Sequence, residues 1–185
     1  MMDQKHIIFD RDGTLIKYVP YLFLVEDIQL KKGVRESLKL LKDKGHKIYL
    51  HTNQSGVSRG YFTLKEVVKC NYKMVELIGL GENLFQRICI ATDYPAKKIS
   101  YRKPSPKFGN EIIKDHNLNK SSLIYIGDSI SDLQTAKNIG CRAYGIKSGI
   151  NQLTNKNLET FNLNFLVFDS IVEIVDEILN EDLKL

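Results

Sequence analysis

Four aspartates, one lysine and one threonine are the residues in this sequence best placed to do chemistry. Asp10 and Asp12 stand two apart in Asp10-Arg11-Asp12-Gly13-Thr14, and Asp128 and Asp132 fall in Gly127-Asp128-Ser129-Ile130-Ser131-Asp132. Thr52 opens a polar run, Thr52-Asn53-Gln54-Ser55, and Lys103 sits in Arg102-Lys103-Pro104. Carboxylates gathered in one place repel unless a cation lies among them. Hard oxygen ligands in that number suit Mg²⁺, which keeps several waters and takes one or two carboxylates plus a substrate phosphate. A lysine and a hydroxyl beside them supply charge and hydrogen bonds for the oxygens of a transferring phosphoryl group. Asp10 then has a role as covalent nucleophile. Asp12 could protonate the leaving oxygen and later activate water.

Each residue alone reads more simply as a solvated loop acid, a turn hydroxyl, an exposed lysine or a helix cap. Their order relative to the elements changes this. Short apolar runs over 5–9, 46–50, 87–91, 122–126, 142–146 and 165–168 read as strands, and helical periodicity falls over 33–44, 63–80, 105–117, 131–139 and 169–179. Thr63 is the expected N-cap of the second helix, with Glu66 at the capping-box position. Repeated β-α-β units predict an α/β, Rossmann-like parallel sheet with helices on both faces, as one domain over 1–185. Such sheets bind ligands outside the carboxyl ends of their strands. The polar clusters after strands one, two and four, with Arg102-Lys103 ahead of strand four, therefore fall on one rim. The Asn-rich stretch 151–164 reads as a polar surface segment.

Composition sets outer limits. The chain has 185 residues, 43% of them hydrophobic and 26% charged, which suits a globular protein with a proper core. No apolar stretch approaches the ~20 residues of a membrane span. Cys70, Cys89 and Cys141 lack disulfide or zinc spacing, which points to reduced thiols and a cytoplasmic setting. The net charge of +5 suits an anionic ligand, but lysines are scattered and no aromatic-plus-basic stripe marks a nucleic-acid site. The chain is read as a monomer with no membrane partner.

DRDGTL, Thr52, Lys103 and GDSISD together resemble the four motifs of the haloacid dehalogenase superfamily of phosphohydrolases, over residues 5 to about 146. That resemblance implies Asp10 as nucleophile, Asp12 as general acid/base, and Thr52 and Lys103 as phosphoryl ligands. It implies Mg²⁺ held by Asp10, the Asp12 carbonyl and Asp128, with Asp132 in support. Both inter-motif gaps are taken up by a helix and a strand, so no cap domain is expected. Specificity would then rest on the short loops 17–29, 55–62 and 92–102. DRDGT, TNQSG and RKP resemble the capless branch of histidinol-phosphate and heptose-bisphosphate phosphatases, and TNQSGVSRGYFT is more similar to its heptose members. These would remove a 7-phosphate on a route to lipopolysaccharide or another surface glycan. On that resemblance the substrate is a small phosphorylated sugar, with Asn53, Gln54 and Ser55 on the sugar side. Arg102, assisted by Arg59, would grip the second phosphate. Histidinol-phosphate phosphatase, polynucleotide 3′-phosphatase and a non-catalytic binding protein are the alternatives. A structural zinc, carried by many relatives before RKP, is not expected: Ala91, Asp93, Ile99 and Tyr101 stand at those places.

Overall fold

The computed structural model of the protein describes residues 4–93, 100–148 and 153–182. Its strands are β1 (His6–Phe9), β2 (Lys47–Asn53), β3 (Phe85–Ala91), β4 (Leu123–Gly127), β5 (Arg142–Ile146) and β6 (Leu166–Phe168). They form one parallel sheet in the order β3-β2-β1-β4-β5-β6. Parallel strands covered on both faces read as near-continuous apolar runs. Accordingly Ile7, Ile8 and Phe9 of β1 are fully buried, with Ile7 opposite both Ile48 and Ile124.

Helices α1 (Val34–Asp43), α2 (Leu64–Ile78), α3 (Lys107–His116), α4 (Ile130–Ile139), α5 (Asn155–Thr160) and α6 (Ile171–Asp182) fill the connections. One core layer packs α1, α2 and α6 on the sheet through Leu38, Met74 and Ile174. The opposite layer packs α3, α4 and α5 through Phe108, Leu133 and Leu158. Between β1 and β2 the described residues hold one 3₁₀ turn (Val25–Asp27) besides α1. Among the described residues no helix is long and apolar enough to cross a membrane.

Two segments differ from the sequence expectation. Strand two runs past Leu50 to Asn53, because Thr52 and Asn53 pair with Ile90 and Ala91 of β3. The stretch 151–164 is more than polar surface where it is described. Thr154 caps α5 by accepting a bond from the Asn157 amide at 3.3 Å, and Leu153, Leu158 and Leu163 are buried beneath it.

Candidate active site

Successive strands proceed outward from β1 to β3, and the chain then returns to place β4 on the other side of β1. The two neighbouring strands lead away in opposite directions, which opens a crevice at their carboxyl ends. Asp10 leaves β1 at that point, tied by its amide to the Ile126 carbonyl at 2.9 Å. Lys103 reaches in from the segment before α3, its Nζ 2.5 Å from Asp10 Oδ1 and 2.6 Å from Asp132 Oδ1. The second Asp132 oxygen accepts from the amide of Ser129 at 3.0 Å and from its hydroxyl at 2.7 Å. Thr14 donates to Asp10 Oδ2 at 3.2 Å. Thus α4's first turn fixes Asp132, Asp132 fixes Lys103, and Lys103 fixes Asp10.

Asp10, Asp128 and Asp132 offer ligand atoms within 4.8 Å of one another, all from buried residues. Burial pushes the Asp10 carboxyl well above its usual range; Lys103 opposes that rise, and the charges of Asp132, Asp128 and Asp12 add to it. Burial works against the Lys103 ammonium too, but Asp10 and Asp132 outweigh it and hold the group charged. One lysine among this many carboxylates leaves surplus negative charge. The donor set is all hard oxygen and suits Mg²⁺. Gly13 makes the crowding possible. Its φ is +84°, and a Cβ there would lie 2.0 Å from Asp128 Oδ2, so a side chain is excluded on both counts.

The Asp12 carboxylate turns to a different set of partners. Arg11 grips it through Nε at 3.0 Å and Nη2 at 3.1 Å, and Gln54 Nε2 and Thr52 Oγ1 donate at 3.0 and 3.3 Å. Arg11 is itself 1% exposed, and its third nitrogen donates to Asn71 Oδ1 of α2 at 2.9 Å. Asn53 clamps the Lys103 backbone, accepting from its amide at 2.9 Å and donating to its carbonyl at 3.4 Å. Lys31, half-buried, donates to the Gly13 carbonyl at 2.7 Å.

Behind this layer His51 Nε2 donates to the Tyr101 carbonyl at 2.8 Å, which leaves Nδ1 to accept from the Tyr125 hydroxyl at 2.9 Å. The ring therefore steadies the segment that delivers Lys103. Burial, with Lys103 nearby, lowers the His51 pKa to about 3; burial, with His116 nearby, lowers that of His6 to about 4. Both folded-state values lie below the unfolded one near 6.5, so stability is full above about pH 6.5 and is lost as pH falls toward 4. The loss is about 1.4 kcal/mol per pH unit for each histidine. His51→Gln keeps a donor for Tyr101 without a titrating ring. Between pH 6.5 and 4.5 its denaturant-unfolding free energy should fall less steeply than the wild type's, by that amount per unit. Equal slopes would refute the assignment.

A cleft of about 250 Å³ opens beside Asp12, lined by Asn53, Gln54 and Ser55 on one side and Tyr18, Tyr21 and Leu22 on the other. Arg59 stands exposed on the 54–61 turn and does not line it. Arg102 lies outside it as well, and its buried Nη1 has no hydrogen-bond partner among the described residues. The base of the 92–102 loop is closed by Asp93, which accepts from the Ser100 hydroxyl at 2.9 Å and the Tyr101 amide at 3.2 Å. Residues 94–99, including Ile99 of the zinc-loop comparison, lie outside the described residues. Arg11, Asn71, Lys31 and His51 were not among the residues singled out from the sequence. Arg11 alone carried a signal, as a cation set between two aspartates.

Residues 23–146 match the family model of the haloacid dehalogenase-like hydrolases. The D-glycero-beta-D-manno-heptose-1,7-bisphosphate 7-phosphatase of Haemophilus ducreyi is 31% identical, over 94% of this chain and 98% of its own length. The enzyme of that name from Helicobacter pylori strain 26695 is 34% identical over 75% of this chain and 80% of its own. Among solved structures, the D,D-heptose 1,7-bisphosphate phosphatase from B. bronchiseptica, complexed with magnesium and phosphate, superimposes with a TM-score of 0.83. That match covers 96% of this chain and 99% of that one at 23% identity, a likeness of fold.

Proposed function

The chain belongs to the haloacid dehalogenase-like hydrolase family, and from that premise we propose that it is a Mg²⁺-dependent phosphatase removing the 7-phosphate of D-glycero-D-manno-heptose 1,7-bisphosphate. The observation that carries the chemistry is the grouping of Asp10, Lys103, Asp128 and Asp132 at the β1–β4 crevice. The sugar rests on the names borne by relatives 31% and 34% identical to this chain. A cleft sized for a small leaving group, beside Asp12, agrees with it.

In this reading an Asp10 carboxylate oxygen attacks phosphorus, and the bond to the sugar oxygen breaks. Asp12 gives that oxygen a proton, leaving an aspartyl phosphate on Asp10. Water then attacks this phosphate, Asp12 takes back a proton, and Asp10 is regenerated with release of inorganic phosphate. Thr52 and Lys103 bind phosphoryl oxygens. Mg²⁺, held by Asp10, the Asp12 carbonyl and Asp128, would neutralise charge on the transferring group. Asp132 keeps Lys103 in place. Asn53, Gln54 and Ser55 face the sugar, and Arg102, whose Nη1 lacks a partner among the described residues, takes the other phosphate with help from Arg59.

The test is phosphate release from heptose 1,7-bisphosphate, histidinol phosphate and a 3′-phosphorylated oligonucleotide, each with Mg²⁺ and with chelator. Mg²⁺-dependent turnover of the first, at the highest kcat/KM, is expected. Preference for either of the others overturns the substrate, and turnover of none overturns the activity.

A further inference from the structure

Two surface loops flank the cleft, and aromatic rings join them. The first, residues 17–29, is closed at its base by the Ile16–Leu30 bridge and by the Lys17 amide on the Gln29 carbonyl at 2.8 Å. The second winds tightly through successive turn bonds, Val57 to Gln54, Arg59 to Ser55, Gly60 to Val57 and Tyr61 to Gly56. Tyr21 meets Tyr61 edge-on, with ring centroids 4.9 Å apart at 86°, and Phe23 lies parallel to Phe62 at 5.9 Å. Phe62 is pressed so closely on Gly56 that a Cβ there would lie 2.3 Å from its ring. Its position is set by the loop that carries it.

Tyr21 and Tyr61 are 52% and 56% exposed, so burial does not explain why the rings meet. Tyr21 also holds a φ of +53°, a left-handed conformation that costs energy in a residue with a side chain. Strain of this kind persists where surrounding contacts enforce it. Tyr21 and Phe62 both line the cleft beside Asp12, and its 250 Å³ lies below the ~300–1,000 Å³ of ordinary ligand pockets.

We propose that Tyr21 and Tyr61 form a latch across the mouth of the cleft that limits the length of the leaving group, admitting one sugar-sized alcohol and turning away longer ones. The latch stands on the phosphatase reading and extends it, because it sets a size limit on the group that Asp12 would protonate. The contact is edge-to-face, so the rings matter and the hydroxyls do not.

The test compares kcat/KM for a short phosphomonoester, p-nitrophenyl phosphate, with that for a long one, biphenyl-4-yl phosphate. Tyr21→Gly removes the ring and adopts the positive φ without steric strain. That variant and Tyr61→Ala should each raise the long-to-short ratio by about 2- to 10-fold, the scale of one aromatic pair. The double variant should gain no more than either single one, since both remove the same contact. Tyr21→Phe should keep the wild-type ratio. An unchanged ratio in the single variants, or single effects that multiply in the double, overturns the latch. Failure on heptose bisphosphate with turnover of the aryl phosphates would overturn the substrate alone and leave the latch to be judged by the ratio.

Discussion

Asp10→Asn is expected to lower kcat by at least about 10⁴-fold, the scale seen when a covalent nucleophile is lost and only positioning remains. Asparagine keeps the shape: its oxygen can accept from Lys103, 2.5 Å from Asp10 Oδ1, and its amide can donate to the Thr14 hydroxyl, 3.2 Å from Oδ2. It lacks the anionic oxygen that would form the acyl phosphate. The melting temperature in chelator separates lost chemistry from lost folding. Burial and the neighbouring Asp132, Asp128 and Asp12 raise the Asp10 pKa, with Lys103 in opposition, so the ionised carboxylate costs stability at neutral pH. The neutral amide removes that cost, and the melting temperature in chelator should match or exceed the wild type's. An acid-quenched wild-type reaction should show a hydroxylamine-sensitive phosphate adduct on the Asp10 peptide, absent in the variant. Turnover within tenfold of wild type would end the covalent mechanism.

Much of this architecture was legible because a parallel sheet buried on both faces leaves a plain trace. Ile7–Phe9 and Leu123–Ile126 are apolar throughout, and each is followed by a polar cluster where the strand meets the rim. The carboxyl-end rule then places Asp10 and Asp128 together without knowledge of any distance. What was not legible depends on partners far away in the chain. Arg11 reads as a cation set between two aspartates, but only Asn71, sixty positions on, explains its burial. Lys31 sits in Lys31-Lys32-Gly33, which looks like solvated surface, and only the hairpin closing on Ile16 brings it to Gly13. Thr52 and Asn53 look like loop because they are polar, yet β3 pairs with both. Polarity at a strand end marked the site and hid the end of the strand.

Lys103→Met should separate the two tasks proposed for the lysine, binding phosphoryl oxygens and balancing the charge of the clustered carboxylates. Methionine keeps much of the stem but leaves Asp10, Asp128 and Asp132 buried without the ammonium that now lies 2.5 and 2.6 Å from two of them. Breaking a buried pair by removing one partner costs roughly 3–5 kcal/mol. In a protein of this size that is about 6–20 °C in melting temperature, measured in chelator. Activity should fall about 10²- to 10³-fold, as for other lost donors to a developing anion. A divalent cation placed among the same carboxylates replaces part of the missing charge, so millimolar Mg²⁺ should raise the variant's melting temperature more than the wild type's. Acid should narrow the gap as well. The Asp10 carboxyl has a raised pKa, its destabilising charge is present above that value, and protonation as pH falls removes it. A variant as stable as wild type in chelator, with no greater response to Mg²⁺, would mean that Lys103 does not balance this cluster. The surplus negative charge would then no longer support a cation at Asp10, Asp128 and Asp132.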